Sequence, residues 1–129
     1  MKIKFTEMLR CPESGQQLTV GTSHSEVKSG RLVSEDGKHC YPIHGSIPRF
    51  VPESNYADNF GMQWNEFRQT QLDSYSGYPI SSERFWKATG WTPEDIAGQW
   101  VLDIGCGAGR FAEIALTAGA HVVALDYSS

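Results

Sequence analysis

Val101-Leu102-Asp103-Ile104-Gly105-Cys106-Gly107-Ala108-Gly109-Arg110 decides how the C-terminal third of this chain is read. An apolar run ending in an acid, then three alternating glycines, is the pattern of a strand feeding a tight loop and a helix. Glycine there lets backbone N–H groups approach a ligand without Cβ clashes. The spacing predicts a strand over 100–104, a loop over 105–109, a helix over 110–118 and a second strand over 121–126. Both strands are nearly all apolar, as a parallel sheet covered on two faces requires. Asp126 ends the second strand 23 positions beyond Asp103, where an acid can accept hydrogen bonds from both ribose hydroxyls.

Two cofactor classes use this βαβ layout, and the glycine spacing separates them. A dinucleotide site wants G-x-G-x-x-G with a small third residue, and Arg110 stands at that position. The spacing is instead G-x-G-x-G behind Asp103. A carboxylate so placed suits the sulfonium and ammonium groups of S-adenosylmethionine (SAM) better than a pyrophosphate. At these residues the chain resembles the class I SAM-dependent methyltransferases. The resemblance implies a Rossmann-like α/β domain in which Asp103, Gly105, Cys106, Gly107 and Gly109 line the methionine part of SAM and Asp126 holds the ribose. A catalytic thiolate at Cys106 is the alternative to a small side chain filling a turn. No catalytic residue is identified.

Upstream, residues 1–52 read as short strands with turn punctuation. Ser25–Lys28 and Arg31–Glu35 flank Ser29-Gly30, and Asp36-Gly37 suits a hairpin before Lys38–Tyr41. Ile47-Pro48 closes the meander at an edge. Cys11-Pro12-Glu13-Ser14-Gly15 looks like a zinc knuckle with Ser14 in place of its second cysteine. With Gly37–Pro48 it resembles the small zinc-ribbon-like proteins that partner and activate methyltransferases, a module also found fused ahead of some methyltransferase domains. A structural zinc needs four ligands. Cys11 and Cys40 would need His24, His39 or His44 without paired spacing, so a metal-free remnant is expected.

Between the two lies an aromatic linker, residues 53–98. Phe60, Trp64 and Phe67 fall on one helical face, and Ser81 or Ser82 is placed to cap a second helix. Asn59-Phe60-Gly61, Gln63-Trp64, Gln71-Leu72-Asp73 and Arg84-Phe85 resemble elements that precede such methyltransferase domains, and Arg84 is a candidate partner for the SAM carboxylate. Thr92-Pro93-Glu94-Asp95 marks a helix start, and residues 99–129 begin the SAM-binding domain.

The fold class expected is therefore α+β: a β-rich zinc-ribbon-like module, a helical linker and the first βαβ unit of a truncated methyltransferase domain whose remainder lies beyond Ser129. The chain alone is expected to be inactive. Residues 1–50 carry 7 basic and 5 acidic side chains, and residues 51–129 carry 4 and 10. No basic stripe of the kind nucleic-acid binders use is present, and the balance leans towards a small-molecule methyl acceptor. No apolar run is long enough to span a membrane, no signal peptide opens the chain, and three cysteines do not make a disulfide framework. A cytoplasmic location is expected. The alternative function is a non-catalytic module that binds or stabilises a methyltransferase; a nicotinamide-dependent oxidoreductase ranks third.

Overall fold

Two compact units divide the chain, Met1–Glu53 and Ser54–Ser129. The computed structural model describes residues 1–21, 24–52 and 66–128.

The first unit is a four-stranded antiparallel meander: β1 (Leu18–Val20), β2 (Gly30–Ser34), β3 (Cys40–His44) and the short edge strand β4 (Ile47–Pro48). Period-two alternation sets its inner face. Leu32 and Ser34 of β2 point inward with Tyr41 and Ile43 of β3, while Cys40 and His44 are exposed. Leu18, Leu32, Ile43 and Cys11 are fully buried, joined by Val27 and Tyr41. Each such aliphatic side chain contributes about 1.5–3 kcal/mol by leaving water. The Asp36-Gly37 turn joins β2 to β3 as its dipeptide predicts, with Gly37 at φ +70°. The Asp36 carboxylate accepts from Ser34 Oγ at 2.6 Å and Lys38 N–H at 3.1 Å.

One pairing differs from the sequence expectation. Residues 25–28 do not form the partner strand of 31–35. Ile3 N–H donates to Ser25 O (3.0 Å) and Val27 N–H to Met1 O (2.8 Å), so this segment is bound to the N-terminus. β1 takes the place beside β2, with Leu18 opposite Ser34. β1 seats Leu18 in the core beside β2, while Val27 reaches the same core from the segment bound to the N-terminus, with Met1 and Ile3 packed against it.

The second unit holds a 3-10 turn (Arg68–Gln71), then α1 (Asp73–Ser76), α2 (Ile80–Thr89), α3 (Pro93–Ile96), β5 (Trp100–Ile104), α4 (Arg110–Thr117) and β6 (His121–Leu125). β5 and β6 pair in parallel, Trp100 opposite His121 through Ile104 opposite Leu125, with α4 as the crossover. The strand–loop–helix–strand order therefore follows the sequence reading. α4 buries Ala112, Ile114 and Ala115 against Phe85, Ile96 and Ala120, with Val101 and Val122 packed alongside. Among the described residues only this face of the pair is covered. Trp100, Leu102 and Ile104 on the other face are 53%, 56% and 76% exposed.

The capping of α2 also differs from expectation. Neither Ser81 nor Ser82 is its N-cap; the helix starts at Ile80. Its free N–H groups at Ser81 and Ser82 are taken by the two oxygens of Asp73, at 2.9 and 2.8 Å. Thr92 does precede α3, and the Asp95 carboxylate accepts from its N–H at 2.8 Å. Of the expected aromatic face, Phe60 and Trp64 lie outside the described residues, and Phe67 is exposed.

Candidate functional site

The loop from Gly105 to Gly109 turns the chain from β5 into α4. Gly105, Gly107 and Gly109 have φ of +76°, +51° and +84°, a region that strains any residue with a Cβ. Gly105 N–H and Cys106 N–H both donate to Leu125 O, at 2.8 and 3.0 Å, which fastens the loop to the end of β6. Gly109 N–H donates back to Cys106 O at 2.8 Å, and Gly107 N–H donates to Asp126 Oδ2 at 2.7 Å. Most of the loop's donors are thus committed within the protein, whereas the sequence reading assigned them to a ligand.

The two acids have different environments. Asp126 is exposed, and its second oxygen accepts from Ser128 N–H at 2.8 Å and from the Ser128 hydroxyl. Burial pushes its carboxyl up, but the Ser128, Gly107 and Tyr127 donors outweigh this and hold it below the usual carboxylate range. Asp103 is half-buried, and its Oδ2 is fully buried without a hydrogen-bond donor. Native structures rarely leave such an atom unmatched. Asp126 is therefore the residue that shapes the loop, and Asp103 carries the free acceptor.

Cys106 is half-buried. Burial raises its thiol pKa, and the negative charges of Asp126 and Asp103 raise it further. Both effects work against a thiolate at Cys106. Arg84 is exposed on α2.

In the first unit, the knuckle turn survives as backbone. Gly15 N–H donates to Cys11 O and Cys11 N–H to Gln16 O, both at 2.8 Å. Around it sits a network that sequence reasoning missed. Cys11 Sγ lies 3.2 Å from the Tyr41 hydroxyl, Tyr41 OH donates to Glu13 Oε1 at 3.4 Å, and Glu13 Oε2 is 3.4 Å from His39 Nδ1. The strand alternation of β3 carried the signal, since it turns Tyr41 inward beside Cys11. Burial raises the Cys11 pKa, but hydrogen bonds with Ser14 and Tyr41 outweigh it and bring the thiol down to about 7. Hydrogen bonding to Cys11, then burial, raises the Tyr41 hydroxyl.

A zinc ion does not fit this arrangement. Cys40 is exposed and on the outward face of β3, opposite to the side on which Cys11 is buried. Among the described residues no group of three or more His, Cys, Asp or Glu side chains converges on a metal position. All three cysteines are free.

Comparison with known proteins agrees with the class of module this geometry defines, a zinc-ribbon-like antiparallel meander. Residues 2–46 match the family model described as Trm112p-like protein. No curated protein matches the chain. No helix among the described residues is long and apolar enough to cross a membrane.

Proposed function

We propose that the N-terminal module is a non-catalytic partner element that binds and stabilises a SAM-dependent methyltransferase. The observation that carries this reading is the Trm112p-like match over residues 2–46, which coincides with the four-stranded meander. The module's only buried ionisable cluster, among the described residues, is Cys11 with Tyr41, and its hydrogen bonds are spent within the module. That suits a binding role better than a catalytic one. The test is to capture native-lysate proteins on the tagged chain and supply methyl-labelled SAM. The expected outcome is recovery of a methyltransferase whose label transfer falls when the chain is removed. Recovered material that neither binds SAM nor transfers the label would refute it.

A second reading is that residues 99–129 form the SAM half-site of a fused methyltransferase domain, Rossmann-like in type. The donor-free, buried Oδ2 of Asp103 beside a left-handed glycine loop favours it. SAM, when bound, supplies a sulfonium-activated methyl group. Asp103 would accept from the ammonium end of the ligand. Asp126 would release Gly107 N–H and accept from the ribose hydroxyls, and Gly105 to Gly109 would hold the loop open between them. Arg110 still argues against a dinucleotide there. The arms are separated by titrating the chain with SAM and with NAD: preference for NAD would overturn the half-site.

A further inference from the structure

Asp126, the acid that follows β6, meets any ligand with its carboxylate already engaged. Each carboxylate oxygen offers about two lone pairs. On Oδ1 both are taken by one residue: Ser128 N–H donates at 2.8 Å, and the Ser128 hydroxyl donates as well. Oδ2 accepts from Gly107 N–H at 2.7 Å, and Tyr127 N–H also faces the carboxylate. A vicinal diol that grips a carboxylate through both oxygens must therefore displace a donor from Oδ1. The two donors there are not equally hard to displace. The Ser128 N–H is fixed by the backbone turn after β6. The Ser128 hydroxyl turns about a single bond beside an exposed carboxylate, so water can take it up once it leaves.

We propose that the Ser128 hydroxyl is a built-in competitor of the cofactor's ribose, holding Asp126 Oδ1 in the free chain and leaving it when a vicinal diol binds. This rests on residues 99–129 forming a SAM half-site, and it adds to that reading a residue that sets the affinity. Ser128 acts through Asp126, whose orientation its N–H continues to hold after the hydroxyl has turned away. A hydrogen bond exchanged against water changes an equilibrium by a few-fold, not by orders of magnitude. Ser128 therefore tunes the site without closing it. A serine that merely closes the turn after β6 would give no dependence on the hydroxyls of the ligand, which is where the two roles part.

The test is titration of the full chain with SAM, adenosine and 2′,3′-dideoxyadenosine, followed by the backbone amide NMR signals of Gly107 and Ser128. Ser128→Ala should bind SAM and adenosine about fivefold more tightly than the wild type. 2′,3′-Dideoxyadenosine carries neither hydroxyl and should bind both proteins equally. Ser128→Thr returns the hydroxyl and should restore the wild-type affinity for SAM. SAM bound no more tightly by Ser128→Ala, or an equal gain with 2′,3′-dideoxyadenosine, would overturn the proposal and leave the half-site reading standing. No SAM binding by either wild type or variant would overturn both.

Discussion

Asp103→Ala separates a ligand-binding carboxylate from a structural one more sharply than any other change in this chain. In the free protein its Oδ2 is buried without a donor, and leaving such an atom unmatched costs about 1–3 kcal/mol. The residue is only half-buried, so the lower end applies, about 1 kcal/mol. Stability should therefore rise, and for a unit the size of Ser54–Ser129 that is a melting temperature higher by about 4–8 °C. Binding should move the opposite way. A hydrogen bond from a charged donor contributes about 1.5–3 kcal/mol, so SAM affinity should fall on the order of tenfold to a hundredfold. Scanning calorimetry and SAM titration on wild type and variant measure both. A variant that melts lower and binds SAM as before would refute the reasoning, because the acid would then be holding structure.

Asp126→Ala removes the acceptor for Gly107 N–H; amide exchange at Gly107 should speed up, stability should fall by about 1 kcal/mol, and unchanged exchange would dismiss the latch. Asp73→Ala strips two N–H groups of α2 of their acceptor, and should cost about 1 kcal/mol, read as a melting temperature lower by about 4–8 °C. The thiol of Cys11 sits at about 7 when folded against an ordinary value of 9.0, so the folded state releases its proton first. Its stabilising contribution is complete above 9.0 and is lost as pH falls through about 7; Cys11→Ser should flatten that slope in melting curves taken across the window.

Local grammar was enough for the βαβ unit. Alternating glycines, apolar runs and the Thr92-Pro93 start each act within a few residues, so β5, α4, β6 and the start of α3 were legible. The first unit was less so. Whether 25–28 or Leu18–Val20 pairs with β2 depends on where Met1 and Ile3 lie, a long-range fact that no period encodes. The cap of α2 was missed for a similar reason, since Asp73 reaches it from eight residues away. The glycine loop lies between the ends of β5 and β6, as the local pattern implies, but which acid fastens it was not legible. The contact that shapes the loop belongs to Asp126, because Gly107 N–H points at the acid that follows β6.

The degenerate knuckle allows one more argument. If Ser14 alone were responsible for the absence of a four-ligand set, Ser14→Cys would rebuild a zinc site. The geometry says otherwise. Cysteine at 14 would stand with Cys11 at the knuckle, but the far side of the site is occupied by the Tyr41 hydroxyl, 3.2 Å from Cys11 Sγ. Cys40, the remaining thiol of the module, is exposed on the outer face of β3, and a one-residue slip of that strand would bury Cys40 only by expelling Tyr41 and Ile43 from the core. Two ligands fall short of the tetrahedral four that a structural zinc requires. Ser14→Cys should therefore leave the chain without stoichiometric zinc by elemental analysis, and its melting temperature should not depend on added metal. One zinc per chain in that variant would mean that β3 can shift register, and that the hydrogen-bonded network around Cys11 does not fix it.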